Sequence, residues 1–130
     1  MGLIVSVIKL ISDISGSNDI KIVFKNSSYS EEQSEARLNS VIYGIIREQL
    51  NNILQHAKAT EVAISLSQNK KSIVISIFDN GVGFDTTKKS KGIGVSNIIS
   101  RAELYKGTAN FISQPGNGCS LMVSFPVDSV

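Results

Sequence analysis

The stretch SIFDNGVGFD, residues 76 to 85, carries an acidic residue and two closely spaced glycines where an alternating apolar segment ends. The alternation over 72–79 places Asp79 on the same strand face as three preceding isoleucines. A carboxylate at the mouth of a strand needs donors, and an adenine amino group is a suitable one. Gly81 and Gly83 would let the backbone turn and approach a ligand closely. An ordinary Asp-Asn-Gly turn is the alternative.

A second pair of chemically useful side chains lies on a predicted helix. Glu48 and Asn52 are four residues apart, so their side chains would lie one above the other. A carboxylate beside an amide oxygen suits a Mg²⁺ ion that keeps most of its waters and takes its other ligands from phosphates. The alternative is an ordinary solvated helix face, because Glu and Asn are common surface residues.

The segment KGIGVSN supplies a third group of residues. Gly92 and Gly94 open a predicted helix whose apolar stripe begins at Val95. Free N–H groups and the positive end of the helix dipole favour a phosphate at such a start, although a glycine pair is often only a turn. In chain order, the acidic-amide face, the Asp-x-Gly-x-Gly strand end, a basic loop and the glycine-opened helix would each serve one part of a bound nucleoside triphosphate.

Composition restricts the possible classes of protein. The 130 residues form one predicted domain, with 42% hydrophobic and 18% charged residues, which excludes a disordered chain. The net charge is only +2, and the short cluster Lys88, Lys89 and Lys91 does not predict nucleic-acid binding. The single cysteine, Cys119, excludes an internal disulfide and offers no metal-ligand spacing.

The apolar opening MGLIVSVIKLISDI predicts a packed helix over 2–15, ahead of a core over about 20–126. It is shorter than the roughly 20 residues that a membrane-spanning helix needs, and it contains Lys9 and Asp13. It also lacks the basic start and cleavage site of a signal peptide. We therefore expect a cytoplasmic domain without membrane contact.

The hydrophobic periodicity predicts the order α-β-α-β-β-α-β-β. Paired strands interrupted by helices favour an α+β fold, with one mixed sheet covered by helices on a single face. Strands are predicted at 20–26, 61–67, 72–79, 108–113 and 119–126, and two further helices at 31–57 and 93–105.

These motifs together resemble the ATP-binding domain of sensor histidine kinases, within the superfamily that includes DNA gyrase, Hsp90 and MutL. The resemblance covers about residues 38–126 and includes the helix segment REQLNNILQHAKA. It implies a Bergerat-type ATP-binding fold: a two-layer α/β sandwich with about five mostly antiparallel strands and three helices. It also implies ATP and Mg²⁺ as cofactors.

The resemblance assigns a role to each motif residue. Asn52 would coordinate Mg²⁺, and Glu48 would be the catalytic group that polarises a metal-bound water or assists phosphoryl transfer. Asp79 would bind the adenine amino group. The remaining nucleotide-binding residues would be Gly81, Gly83, Gly92, Gly94, Val95, Lys91 and His56. Residues 84–91 would form the ATP lid.

Two positions depart from the family pattern. Gln55 stands where many relatives carry a basic phosphate contact, so His56, Lys58 or the lid lysines would have to supply it. Cys119 stands where a threonine is frequent, and a small buried residue is the expected interpretation.

The single histidine, His56, lies within the ATP-site helix and is not at the family's phosphoacceptor position. The resemblance therefore implies a donor domain whose partners are a separate phosphoacceptor helical domain and a downstream response regulator. An anti-sigma-factor-like serine kinase or regulator of the same fold is the alternative function, and a gyrase-type ATPase module is a third.

Overall fold

The computed structural model describes residues 2–83, 93–113 and 115–127, with backbone alone at 93 and 94. The helices are α1 (Leu3–Ser17), α2 (Ala36–Asn52), a π-helix (Ile53–Ala57) and α3 (Ile93–Glu103). The strands are β1 (Lys21–Asn26), β2 (Glu61–Gln68), β3 (Ser72–Asp79), β4 (Thr108–Ser113) and β5 (Cys119–Pro126).

The five strands form a single sheet in the order β1-β2-β3-β5-β4. β1 and β2 are parallel because α2 crosses over between them, whereas the other three pairings are antiparallel. β3 is the central strand and pairs with β2 on one side and β5 on the other. The sheet is therefore mixed and mostly antiparallel, as the sequence predicts.

The strict alternation in β2, β3 and β5 gives the sheet one buried and one open face. The buried face is built largely from isoleucine, leucine and valine, whose branched side chains pack well on a pleated surface. All three α-helices contribute buried side chains or packing contacts to the same core. The open face retains exposed apolar groups such as Phe78 and Met122, which are 46% and 49% exposed. The predicted α+β architecture, with helices on a single face, is confirmed.

The topology places particular element ends at the same edge of the sheet. β3 ends at this edge with Asp79, and β5 begins there, because Asp79 pairs with Cys119. The connection from α2 also enters β2 there, because Val62 pairs with Asp79. α3 leads into β4, whose first residue pairs near the end of β5, so the end of α3 lies toward the opposite edge.

The second helix differs from its predicted range of 31–57. It begins at Ala36, because the preceding polar residues make other contacts. The Ser34 hydroxyl donates to the Ser30 carbonyl at 2.8 Å, and Asn39 Nδ2 donates to the Glu31 carbonyl at 2.9 Å. At its other end the α-helix gives way at Ile53 to the π-helix, which Lys58 ends with a left-handed backbone, φ 53°.

The remaining boundaries agree with the predicted ones to within two residues. The first helix covers 3–17 instead of 2–15, and β1 begins at residue 21. α3 ends at Glu103, two residues before its predicted end, and β3, β4 and β5 have their predicted ranges. Across 2–83, 93–113 and 115–127, no helix has the length and apolarity needed to cross a membrane.

A glutamate from the loop before α2 holds the start of α1. The Ile4 amide donates to both carboxylate oxygens of Glu31, at 3.1 and 3.3 Å, and Gly2 provides no side-chain cap. A carboxylate at a helix N-terminus satisfies a free N–H group and interacts favourably with the helix dipole. Glu31 therefore fastens α1 to the loop that leads into α2.

We expect Glu31→Ala to lower the free energy of unfolding by about 0.5–2 kcal/mol, the usual cost of losing an N-terminal cap. Urea denaturation followed by circular dichroism measures this change. Glu32→Ala removes the same charge from an exposed neighbour and should be nearly silent. Equal losses in the two variants would contradict the capping role.

Candidate functional site

Asp79 is a carboxylate buried at the end of the central strand. Its side chain is on the core face and the residue is 1% exposed. Oδ1 accepts a hydrogen bond from the Gly81 amide at 2.8 Å. Burial raises the pKa of Asp79 above 3.8, and the Gly81 hydrogen bond opposes that rise. The carboxylate is thus held in place and is poorly solvated, which favours a further donor from a ligand.

Asn80 fixes the strand end that carries this carboxylate. Its Oδ1 accepts from the amides of Thr60 and Glu61, at 2.9 and 3.0 Å, and its Nδ2 donates to Thr60 Oγ1 at 3.0 Å. The side chain therefore ties the end of β3 to the start of β2. The Asp79–Gly81 hydrogen bond is that of an Asx turn, and Asn80 adds to this turn a link between the two strands.

Gly81 packs directly against the end of the π-helix. A Cβ at this position would lie 2.7 Å from Ala57 Cβ and would clash with the Ala57 carbonyl oxygen. That oxygen accepts from the Val82 amide at 2.8 Å. The wider turn of the π-helix thus ends against the loop that follows β3, and only glycine permits the contact.

Two glycines with left-handed backbones complete the edge. Gly83 has φ 69° and Gly118 has φ 72°. A Cβ on Gly118 would also clash with the carbonyl oxygen of Asp79. Ser113 Oγ donates to the Gly118 carbonyl at 2.8 Å and so fixes this approach. The sequence singles out Gly83, whereas Gly118 is identified by the structure.

Cys119 lies beside Asp79 in the adjacent strand and is 4% exposed, as expected for a small buried residue. Burial, and then the charge of Asp79, raise the pKa of the thiol to about 11, although hydrogen bonds with Ser113 and Gln49 act in the opposite direction. The group therefore remains a neutral thiol at neutral pH.

Gln49 connects Cys119 to the helix face that carries the predicted metal ligand. Its Nε2 donates toward Cys119 Sγ at 4.0 Å, and its Oε1 accepts from Asn52 Nδ2 at 3.3 Å. Asn52 and Glu48 are both half-buried, whereas Gln49 is buried. The chain of contacts from Asn52 through Gln49 and Cys119 therefore reaches the strand position next to Asp79.

Some of the remaining predicted site residues lie in described helices, and others lie outside the described residues. Gly94 and Val95 lie in the first turn of α3. His56 is exposed within the π-helix, as is Gln55. Lys91, Gly92 and the predicted lid at 84–91 lie outside the described residues.

The sequence patterns do not identify Gln49 or Ala57 as parts of the site. Gln49 carries a recognisable signal, because it lies three residues after Ile46 and four before Ile53, on the apolar face of α2. A polar residue at such a position needs a partner. Ala57 carries no comparable signal, because its contribution is a backbone carbonyl.

Comparison with known proteins agrees with this geometry. Residues 39–129 match the model of the family described as "Histidine kinase-, DNA gyrase B-, and HSP90-like ATPase". The chain is 28% identical over 128 residues to the signal transduction histidine-protein kinase/phosphatase DegS of Brevibacillus brevis, covering 98% of this chain and 33% of that protein. It is 31% identical over 104 residues to the oxygen sensor histidine kinase NreB of Staphylococcus carnosus, covering 78% of this chain and 30% of that protein.

The solved ATP-binding domain of PrrB from Mycobacterium tuberculosis has the same fold, with a TM-score of 0.72 and 20% identity over 93% of this chain and 90% of that one. The chain spans about a third of the length of the two curated kinases. The family match covers most of the chain and includes Glu48, Asn52 and Asp79. The chain therefore belongs to the histidine kinase-, DNA gyrase B- and HSP90-like ATPase family.

Proposed function

We propose that this chain is the catalytic ATP-binding domain of a sensor histidine kinase, which binds Mg·ATP and donates the γ-phosphate to a histidine on a separate domain. The observation that carries the proposal is the buried carboxylate of Asp79 at a sheet edge that also receives the end of α2. The names of two relatives, the histidine kinases DegS and NreB, support the kinase assignment. Neither is named as an anti-sigma-factor kinase or a gyrase, so the other two functions gain no support.

In this proposal Asp79 recognises adenine. Its carboxylate accepts from the Gly81 amide and retains further acceptor capacity, because an ionised carboxylate has about four lone-pair sites. The adenine amino group is a donor, whereas guanine presents a carbonyl oxygen at the equivalent ring position. A buried acceptor therefore favours adenine over guanine.

The residues at the end of α2 fit a Mg²⁺ ion that the nucleotide brings. Asn52 Nδ2 is engaged by Gln49, which leaves the amide oxygen of Asn52 as a hard ligand, and Glu48 lies one turn earlier. Within the described ranges no group of three or more His, Cys, Asp or Glu side chains could hold an ion alone. This donor set suits an ion that takes most of its ligands from phosphates and water. When bound, the ion would offset phosphate charge.

The chain's own residues then position the reacting phosphate. Glu48 would orient a water or accept a proton near the phosphates, and the amides of Gly92 and Gly94 at the start of α3 would bind phosphate oxygens. Val95 would pack near that start, and Lys91 or the exposed His56 would supply the phosphate contact that Gln55 does not. Phosphoryl transfer depends mainly on such positioning and on charge stabilisation.

The acceptor would lie on another domain. The only histidine of the chain, His56, lies in the π-helix that follows the Asn52 turn, so we assign it to the nucleotide side. The partners would be a phosphoacceptor helical domain and then a response regulator. Since the donor is ATP, the proposal also places the reaction in the cytoplasm.

We expect residues 1–130 to bind Mg·ATP without stable autophosphorylation, because the donor has no acceptor in line with it. Adding a two-helix phosphoacceptor hairpin should restore labelling, weakly in trans and strongly when it is tethered, because tethering raises the effective concentration. Radiolabelled γ-phosphate with acid and alkali treatment measures this, since phosphohistidine survives alkali and not acid. An acid-labile label on the isolated chain that His56→Ala abolishes would overturn the assignment of a donor domain.

In the tethered fusion, Glu48→Gln should leave the Kd for Mg·ATP nearly unchanged and slow transfer by about 10² or more, as expected for a group that acts in the transition state. Single-turnover labelling gives the rate, and Glu103→Gln removes an exposed carboxylate from α3 as the matched control. A wild-type rate in Glu48→Gln would rule out the catalytic role.

Asp79→Asn should weaken ATP binding by about 1.5–3 kcal/mol, the value of a hydrogen bond to a charged group, and reduce the preference for ATP over GTP. Titration calorimetry with both nucleotides measures the change. The control is Asp19→Asn, which neutralises an exposed aspartate. Unchanged ATP affinity would exclude Asp79 from base recognition.

The same variant has an opposite effect on stability, which separates lost recognition from misfolding. Burial raises the folded-state pKa of Asp79 above its unfolded-state value. The contribution of the protonated carboxyl to the free energy of unfolding is therefore fully present below the unfolded-state pKa. It is lost as the pH rises through the folded-state pKa. Nucleotide-free Asp79→Asn should therefore match the wild type at about pH 3.5 and exceed its unfolding free energy at about pH 7.5. Urea denaturation at both values measures the difference, and a pH-independent difference would contradict it.

A further inference from the structure

Gln49 is a buried amide on the apolar side of α2. The residue is 3% exposed, and its neighbours on that face include the fully buried Ile45 and Ile46. Burying an amide is unfavourable unless its oxygen and nitrogen both find partners. The partners of Gln49 therefore explain why a polar side chain is kept at this position.

Each end of the Gln49 amide has a partner. Oε1 accepts from Asn52 Nδ2 at 3.3 Å, across one helical turn. Nε2 donates toward Cys119 Sγ at 4.0 Å. Cys119 in turn has a hydrogen bond with Ser113 and lies in β5, so Gln49 is anchored to the sheet as well as to its own helix.

This anchoring determines which end of the Asn52 amide is free. An asparagine amide has a donor end and an acceptor end of nearly equal size, and rotation by half a turn exchanges them. A metal cation binds only the oxygen. Because Nδ2 of the half-buried Asn52 is engaged by the buried Gln49, the oxygen is the end of the amide that can bind a cation.

We propose that Gln49 is a positioning residue that fixes the Asn52 amide with its oxygen presented to the nucleotide-bound Mg²⁺. The inference rests on the proposed function, in which Asn52 is the metal ligand. Hydrogen-bond partners of metal ligands typically change metal affinity by about 10- to 100-fold when they are removed. Gln49 would act in this way without touching the metal or the substrate.

The test replaces Gln49 by side chains that separate shape from hydrogen bonding. Gln49→Met keeps the length and apolar packing but offers Asn52 no strong acceptor. Gln49→Glu keeps an acceptor toward Asn52 Nδ2 and loses the donor toward Cys119. Asn52→Ala removes the ligand itself, and Gln33→Met makes the same chemical change at an exposed site.

The measurements are the affinity for ATP across a Mg²⁺ titration and the affinity for ADP in EDTA, both by calorimetry. In Gln49→Met, the Mg²⁺ concentration for half-maximal enhancement of ATP binding should rise about tenfold or more, while ADP binding in EDTA changes less than about twofold. Gln49→Glu should recover most of the Mg²⁺ response, and Gln33→Met should match the wild type. In nitrogen-15 NMR spectra, the Asn52 side-chain amide signals should shift in Gln49→Met before nucleotide is added.

Two results would overturn the proposal. If Asn52→Ala raises the Mg²⁺ requirement and a folded Gln49→Met does not, Asn52 remains the ligand and Gln49 does not position it. If Gln49→Met weakens the binding of Mg·ATP and of metal-free ADP equally, the role of Gln49 is packing. Gln49→Leu should then weaken both equally as well. A wild-type Mg²⁺ response in Asn52→Ala would instead overturn the metal assignment in the proposed function, and the positioning role with it.

Discussion

Burial of the Asp79 carboxylate at the end of the central strand is the constraint on which the rest of this sheet edge depends. A carboxylate that is 1% exposed is unfavourable unless donors reach it, and the Gly81 amide provides one at 2.8 Å. The segment that brings this amide packs closely against Ala57, and on the β5 side Gly118 packs closely against the Asp79 carbonyl. The two glycines thus permit the close packing around the strand end that carries the carboxylate.

The stability of this edge and its function make opposite demands. Burial raises the pKa of Asp79, so the ionised form that recognises a donor is also the form that folding disfavours. The Gly81 amide limits the free-energy cost of burying the charge by donating to the carboxylate. Asn80 holds this strand end in place through hydrogen bonds with the start of β2. A ligand that donates to Asp79 would offset part of the same cost, which couples recognition to stability.

Much of the fold follows from local patterns in the sequence. β3, β4 and β5 have their predicted ranges because period-two alternation and glycine-containing turns bound them clearly. The start of α2 is not predictable from the sequence pattern. The Glu31 carboxylate accepts hydrogen bonds from the Ile4 amide, and the Ser34 hydroxyl donates to the Ser30 carbonyl. The π-helix is also not predictable from periodicity, since Ile53 and Ala57 fit an α-helical stripe equally well.

The candidate site shows the same division. Glu48, Asn52 and Asp79 are identifiable because their chemistry lies in side chains at regular spacings. The contribution of Ala57 is a carbonyl oxygen, and that of Cys119 arises from strand register, which joins residues distant in sequence. Backbone groups and cross-strand neighbours leave no motif, so only the folded arrangement identifies them.

The pairing of β3 with β5 joins two hairpins that are each local in sequence, β2–β3 and β4–β5. Such a long-range pairing carries the larger entropic cost of loop closure. Asp79 and Cys119 lie at the end of this pairing, so the proposed nucleotide pocket lies where the two hairpins meet. A ligand that binds only when β3 and β5 are paired would raise the free energy of unfolding by about 2.7 kcal/mol at a free concentration of a hundred times its Kd. The cellular ATP concentration would then help to set the lifetime of this domain against proteases.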